Sequence, residues 1–309
     1  MLFNKMLVVL EPNKTKQYAL ERAVALAQEQ KNPQPVEITV FMSVYDIAYE
    51  MSELLSSEED KRKMRDSIIA KRSEEIQPIL AQYHDPDIQF KTLVVWSSNE
   101  ADAITEAVDS EHFNLVVKYT VAKDEGLSAL LFTPQDWQLL RKCPAPIMMV
   151  RNTNWQHQRR ILIAVNVGDD DLMHTTFNDE LVQLGMTIAN NLERGNVHLV
   201  SAYPPSAINV TIDMPEFQNR ASEKSERQSH EENMKALCEK FGIESDHAHV
   251  VEGFPEDVIP EVAKQLEAEM VVLGTVGRRG LAAAFLGNTA EHVISRLHCN
   301  LLTIKPSFD

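Results

Sequence analysis

The chain repeats its own pattern at an offset of 155 residues, and this repeat limits the folds open to it. A buried-strand run at Lys5–Leu10 recurs at Arg160–Val165, and the run Leu115–Val117 recurs at Met270–Val272. A period of this length is too long for a solenoid of short repeats. We therefore expect a tandem duplication of one unit, with domains at residues 1–152 and 159–309 joined by a polar linker at 153–158.

Within each unit, apolar runs alternate with helical patterns. In the first half we expect strands at 5–10, 36–44, 88–95, 115–118 and 147–150, and helices near 19–27, 57–83 and 99–111. In the second half we expect strands at 160–165, 197–203, 248–252, 270–273 and 301–304, and helices at 178–191, 223–241, 255–267 and from 288. This alternation is typical of a parallel sheet covered on both faces. The predicted fold class is α/β, with two tandem five-stranded parallel-sheet, Rossmann-like domains.

Net charge, hydropathy and cysteine count argue against several classes of function. The formal charge of −16 over 309 residues argues against a nucleic-acid partner and against adsorption to an anionic membrane, since both need basic surface. The N-terminal residues fit a first strand better than a secretory signal, and no window approaches a membrane span. Three cysteines without a motif, Cys143, Cys238 and Cys299, are typical of reduced thiols. We expect a cytoplasmic protein.

A glycine-rich loop follows the fourth strand of the second half. The strand Met270–Leu273 runs into Gly274, and Gly277, Gly280 and Gly287 follow before a helix near Asn288. Glycines let backbone N–H groups approach a phosphate closely, and a helix start directs its positive end toward it. The alternative interpretation is that the glycines are turn residues and that Asn288 with Glu291 forms a capping box. The two interpretations are compatible, because a cap and a phosphate use the same N–H groups.

The spacing Gly274-x-x-Gly277, nine residues, then Gly287 resembles the nucleotide-binding loop of the universal stress protein family, although Asn288 stands where that family has Ser or Thr. With the repeat, the resemblance covers the whole chain, in the tandem two-domain arrangement of the UspE type. It implies an adenine nucleotide alpha hydrolase-like fold, with the triphosphate of ATP along the loop. It also implies that the fifth strands of the two halves pair as an internal pseudo-dimer, leaving a monomer or a homodimer of tandem chains. The ligand-contact residues that we predict are Val165, Asn166, Gly274, Thr275, Gly277, Arg278, Gly280, Gly287, Asn288 and Thr289.

One departure concerns the residue after the first strand. ATP-binding members of the family usually carry Asp there, whereas this chain has Asn166 in the second half and Glu11 in the first. An asparagine can hydrogen-bond a ribose hydroxyl but is a poor Mg²⁺ ligand. The ligand is therefore either a nucleotide bound without metal or another molecule. The run Asp169–Asp171 is more typical of a helix start than of a metal site, and we predict no metal site.

The first half has lost the glycine loop. Tyr119-Thr-Val-Ala122 stands in place of Gly274-Thr-Val-Gly277, and Thr133-Pro134 corresponds to Gly287-Asn288. Bulky residues and the carboxylates of Asp124 and Glu125 would block a phosphate. Trp96 and Trp137 could stack on a base, but packing is the commoner fate of lone tryptophans. We predict that the first domain is not a nucleotide site.

Alternating apolar residues from Ile208 to Met214 in the second half either pack on the sheet or form a wall of a ligand cavity. We find no catalytic triad, nucleophile elbow or paired carboxylates, so catalysis is not indicated. Two function classes remain. The first is a stress-response protein whose second domain binds ATP or a related phosphorylated ligand, the resemblance implying roles in starvation and DNA-damage resistance. The second is a ligand-independent interaction scaffold with protein partners. A slow ATPase is a distant third.

Overall fold

The computed structural model describes residues 3–12, 14–30, 35–50, 57–122, 130–152, 159–168, 171–192, 195–205, 220–275 and 286–306. The chain divides into two compact units, one built from residues 2–120 and 132–152 and the other from residues 121–131 and 153–309. We refer to them as the first and second domains. The predicted linker at 153–158 lies outside the described residues.

The strands of the first domain are β1 (Lys5–Val9), β2 (Val36–Val44), β3 (Ile88–Trp96), β4 (Leu115–Tyr119) and β7 (Ile147–Val150). In the sequence, a short antiparallel pair follows β4, formed by β5 (Val121–Ala122) and β6 (Leu130–Leu131), and it groups with the second unit. The helices are α1 (Tyr18–Glu29), α2 (Ile47–Glu50), α3 (Glu58–Leu80), α4 (Glu100–Glu111) and α5 (Pro134–Lys142). The five main strands are parallel in the order β7-β4-β1-β2-β3.

The second domain repeats this arrangement. Its strands are β8 (Arg159–Ala164), β9 (Gly195–Tyr203), β10 (Ala248–Glu252), β11 (Met270–Gly274) and β12 (Asn300–Ile304), parallel in the order β10-β9-β8-β11-β12. Its helices are α6 (Leu172–Asn191), α7 (Arg220–Phe241), α8 (Pro255–Gln265) and α9 (Asn288–Ile294), and a 3-10 turn at Ser245–His247 precedes β10. The predicted α/β class, with two tandem parallel sheets, is confirmed.

Burial follows the position of each strand in its sheet. The last four residues of β1, the last four of β8 and the first four of β11 are buried. The edge strands β3 and β10 are mostly half-buried or exposed. Central strands of a parallel sheet are covered on both faces, which explains their unbroken apolar runs. The same continuity made these strands the easiest elements to predict.

Capping residues fix several helix starts. Ser57 caps α3 and Asn99 caps α4, each accepting a backbone hydrogen bond three residues on. Asp171 caps α6 by accepting from the His174 N–H at 3.0 Å, so this helix begins before the predicted Asn178. This confirms the helix-start interpretation of that aspartate, while its neighbours at 169 and 170 lie outside the described residues. Helix α5 and the β5–β6 pair were not predicted.

Within the part of the chain that the structure describes, no helix is long and apolar enough to cross a membrane. The three cysteines form no disulfide.

Candidate functional site at the carboxyl ends of β8 and β11

The order of the second-domain sheet creates a switch point beside β8. From β8 the chain moves to β9 and β10 on one side, and then returns to place β11 and β12 on the other side. The strands β8 and β11 are neighbours, and the connections that follow them therefore lead to opposite sides of the sheet. In open α/β sheets this divergence is where ligands bind.

A cavity of about 600 Å³ opens at this point. Its floor includes Ala164 and Val165 from the end of β8, and Leu273 and Gly274 from the end of β11. The first turn of α9 and the N-terminus of α8 contribute to its wall, and residues of α6 face them. A space of this volume accommodates a small organic ligand of nucleotide size.

The structure brings most of the described predicted contact residues to this cavity. Lining it are Val165, Asn166, Gly274, Gly287, Asn288 and Thr289. Thr275 is not among the lining residues: it is 3 % exposed and its hydroxyl donates to the Ile304 carbonyl at 3.3 Å. The chain therefore turns the Thr275 side chain toward β12 and not toward the cavity. Gly277, Arg278 and Gly280 lie outside the described residues, as does the apolar segment from Ile208 to Met214.

The helix start beside the cavity differs from the predicted capping box. Gly287, not Asn288, is the N-cap of α9, and no side chain caps this helix. The interpretation of Asn288 and Glu291 as a capping box is wrong, because Asn288 is already the first helical residue. The first N–H groups of a helix have no intrahelical partner. Because the N-cap residue of α9 is a glycine, no side chain caps the first turn of this helix, which lines the cavity.

An amide side chain fixes the end of β8. The buried Asn178 of α6 accepts a hydrogen bond from the Asn166 N–H at 3.0 Å and donates to the Asn166 carbonyl at 2.7 Å. This pair of bonds, which we call the amide clamp, satisfies both main-chain groups of the residue where the strand ends. The Asn166 side chain is exposed, and its Oδ1 accepts from the Gly168 N–H at 3.2 Å. Asn166 thus projects from a fixed main chain at the cavity.

Two aromatic rings belong to the apolar part of the cavity lining. Phe177 of α6 packs so closely on Gly274 that a Cβ atom there would lie 2.2 Å from the Phe177 Cε1. Gly274 is therefore required by a side chain of the protein itself, a role that the sequence did not indicate. Phe254, just before α8, also lines the cavity and is 54 % exposed. Sequence patterns missed both rings, since each contact joins residues far apart in the chain.

Two ionisable residues stand among the described lining residues, His174 and Glu256. The His174 ring Nδ1 lies 2.5 Å from Asp171 Oδ2, and Asp171 also caps the helix. Hydrogen bonds from the His174 backbone N–H and from its ring hold the pKa of Asp171 below its usual value. Asp171 thereby orients an imidazole at the cavity wall.

The first domain places a different set of groups at the corresponding strand ends. Tyr119 ends β4 where Gly274 ends β11, and Tyr18 stacks on it with ring centroids 5.0 Å apart. Beside it, Lys118 Nζ lies 2.6 Å from Glu100 Oε1 and 3.3 Å from Asp136 Oδ1. Burial by itself would lower the pKa of Lys118. The carboxylates of Glu100 and Asp136 together have the larger effect, so the pKa of Lys118 is raised.

The first domain also caps the corresponding helix and clamps its strand end. Thr133 and Asp136 form a complete capping box at the start of α5. The Gln17 side chain accepts from the Glu11 N–H and donates to the Glu11 carbonyl, both at 2.9 Å. The two domains therefore share the amide clamp but differ at the helix cap and in the side chains at the strand ends.

Known proteins resemble this chain along its whole length. A universal stress protein E homolog from Haemophilus influenzae is 58% identical, covering 99% of this chain and 99% of the relative. Universal stress protein E from Escherichia coli K12 is 42% identical, covering 99% of this chain and 95% of the relative. The crystal structure of a putative universal stress protein from Pseudomonas aeruginosa UCBPP-PA14 superposes with a TM-score of 0.70 at 24% identity, covering 98% of this chain and 94% of that chain.

The last of these likenesses shows the fold alone, but the family is shown by sequence. The Universal stress protein family model matches residues 2–151 and again residues 159–305, once for each domain. With two matches spanning nearly the whole chain, this protein belongs to the universal stress protein family.

Proposed function

We propose that the second domain binds ATP or a related phosphorylated nucleotide and does not turn it over. The observation that carries the proposal is the cavity of about 600 Å³ at the switch point between β8 and β11. The base and ribose lie against the apolar lining, which includes Phe177 and Ile259. The phosphates lie toward Gly287 and Asn288 at the start of α9.

The lining chemistry supports binding without a metal ion. Asn166 brings an amide rather than a carboxylate to the end of β8, and an amide is a weak ligand for Mg²⁺. Among the described lining residues, Glu256 is the one carboxylate, at the start of α8. We therefore expect affinity for ATP to be similar with Mg²⁺ present and with Mg²⁺ chelated.

Calorimetric titration with ATP, ADP and AMP tests this proposal. Thr289 is exposed and lines the cavity, so Thr289→Trp fills the space without disturbing the core. We expect it to weaken nucleotide binding at least about tenfold. The matched control is Ser295→Trp at the other end of α9, which is exposed and is not a lining residue, and which should bind as the wild type does.

A second candidate is a phosphorylated ligand with an apolar part, and the exposed ring of Phe254 at the cavity favours it. Native mass spectrometry of gently purified protein, followed by denaturing extraction, distinguishes the two ligands by mass. Phe254→Ser should release an apolar ligand and leave ATP binding nearly unchanged. A bare protein that also ignores added nucleotides would refute both candidates and leave the ligand-independent interaction scaffold.

For the cellular role, we propose that occupancy of this cavity signals starvation or DNA-damage stress, in a cytoplasmic protein, to a protein partner. The names of the relatives support a stress role at the level of the family. A strain lacking the gene should lose survival under these stresses. The wild-type gene should restore survival, and the Thr289→Trp gene should not. Restoration by both genes would separate the stress role from ligand binding.

A further inference from the structure

Among the side chains of α7 that the structure describes, the buried face of the helix begins with a histidine. Met234, Leu237 and Cys238 are buried, at the spacing of one side of a helix that packs on β9 and β10. His230 lies one turn before Met234 on the same side and is 8 % exposed. A polar ring in this position is expected to have specific partners, because buried polar groups are rarely left without them.

The His230 ring packs against Gly168 in the turn that follows β8. A Cβ atom on Gly168 would lie 2.6 Å from His230 Nε2, so the ring fills the space that a side chain there would need. His230 Nδ1 donates to the Glu226 carbonyl at 2.9 Å, and the ring lies beside Tyr203 with centroids 5.6 Å apart, so its orientation is held on two sides. Gly168 is not among the described glycines with a positive φ. The ring, and not the backbone conformation, therefore requires glycine at this position.

A second residue of α7 holds the same turn. Asn233 lies three residues after His230, and its Nδ2 donates to the Val167 carbonyl at 2.9 Å. The Gly168 N–H in turn donates to Asn166 Oδ1 at 3.2 Å. Asn166 lines the cavity, whereas the other four residues do not. The turn at 166–168 thus joins helix α7 to a side chain of the cavity lining.

We propose that His230 and Asn233 are positioning residues of the nucleotide site, and that occupancy of the cavity is coupled to the packing of α7. The proposal rests on the function proposed above for the cavity. Both residues act through the turn that fixes the Asn166 side chain. Contacts that favour the ligand-bound position of Asn166 are stabilised by the ligand to the same extent, because coupling between two sites is reciprocal. Helix α7, whose opposite face is exposed, thereby reports occupancy at the protein surface.

Calorimetric titration of the full chain with ATP, ADP and AMP tests the coupling, and the variants are compared on the nucleotide that the wild type binds most tightly. His230→Ala removes the ring. Asn233→Asp keeps the shape of the side chain but cannot donate to the Val167 carbonyl. We expect each change to weaken binding about three- to thirtyfold, the range found for residues that touch no ligand but alter its coupling.

A matched control separates positioning from loss of stability. Leu237→Ala truncates a buried residue on the same face of α7, two turns beyond His230. It should lower the melting temperature and leave nucleotide affinity unchanged. Circular dichroism of each variant shows that it is folded.

The contact between the ring and the glycine gives a second readout. Gly168→Ala should displace the turn from His230 and weaken nucleotide binding. The double variant Gly168→Ala with His230→Ala should lose less affinity than the product of the two single losses, because the ring that the new methyl group meets is gone. Hydrogen exchange of the wild type should slow around residues 227–236 when nucleotide is added.

The outcomes distinguish this proposal from the binding function on which it rests. A wild type that binds none of the three nucleotides would refute the binding function and the proposal with it. Nucleotide binding that is equally tight in folded His230→Ala and Asn233→Asp would leave the binding function standing and overturn the role of α7. Equal weakening by Leu237→Ala would also overturn that role, since the loss would then follow from general destabilisation.

Discussion

In the second domain the carboxyl ends of β8 and β11 border a cavity, whereas in the first domain the ends of β1 and β4 carry Glu11, Lys118 and Tyr119. The strand order, the helix that follows the fourth strand and the amide clamp are common to both. The differences are confined to side chains and to the helix cap. The same backbone arrangement therefore holds a cavity at the strand ends of one domain and the ion pairs of Lys118 with Glu100 and Asp136 at the strand ends of the other.

The largest effect is expected from breaking that cluster. Lys118→Met leaves Asp136, which is 3 % exposed, and Glu100 without their cation. An uncompensated buried carboxylate is costly, so we expect a loss of about 2–3 kcal/mol in the free energy of unfolding. Urea denaturation measures it. The control Lys142→Met removes an ion pair with Asp102 that is about half exposed on both sides, and should cost much less, because solvent screens such a pair. Equal losses in the two variants would contradict the internal role of Lys118.

A second prediction concerns the glycine that replaces Tyr119 in the second domain. Gly274→Ala brings a Cβ atom to within 2.2 Å of the Phe177 ring and should cost about 1–3 kcal/mol by overpacking. The double variant Gly274→Ala with Phe177→Ala should lose less than the sum of the two single changes, because each relieves the other. Thermal melts of all four proteins measure the coupling. If the stability losses of the two single variants simply add in the double variant, the Phe177 ring is not the reason that position 274 requires glycine.

The amide clamps sharpen the comparison, because here the two domains should behave alike. Asn178→Ala and Gln17→Ala each remove two hydrogen bonds to the main chain at a strand end. An unsatisfied buried backbone group costs about 1–3 kcal/mol, so we expect losses in that range from both variants. Urea denaturation measures each. A loss in one variant and none in the other would mean that the two clamps are not equivalent.

The smallest predicted effect is a change in pH dependence. Burial raises the pKa of Glu11, outweighing Lys14 and Lys118. The folded state therefore holds this proton at a higher pH than the unfolded state, and the associated stability is present at acid pH and lost as pH rises through the folded pKa. Glu11→Gln should raise the free energy of unfolding at neutral pH by less than about 1 kcal/mol, and should leave it unchanged at a pH below the pKa of Glu11 in the unfolded chain. Melting temperatures of both proteins from acid to neutral pH measure this. A constant difference across that range would contradict the burial argument.

The sequence predicted the parts of the structure that depend on local pattern. Continuous apolar runs located β1, β8 and β11, and the repeat predicted two like domains. The glycine spacing led to Gly287 and the cavity wall. What could not be predicted depends on side chains far apart in the chain, such as Phe177 on Gly274.

Three histidines at the edge of the second-domain sheet show the same limit. His247 and His249 stand two residues apart in the sequence, but His198 joins them only because β9 and β10 are neighbours in the sheet. Spacing along the chain contains no information about which strands pair, so it could not bring these rings together. Thr275 shows the reverse: its place in the loop predicted a ligand contact, whereas its hydroxyl turns to Ile304.

The amide clamp has a consequence for how such a duplicated protein can change over generations. It holds the N–H and the carbonyl of the residue at the strand end and makes no demand on that residue's side chain. Glu11 in one copy and Asn166 in the other are held in the same way. A single substitution at this position therefore alters the chemistry presented at the strand end while the frame stays intact, and each copy is free to acquire or lose a ligand without refolding.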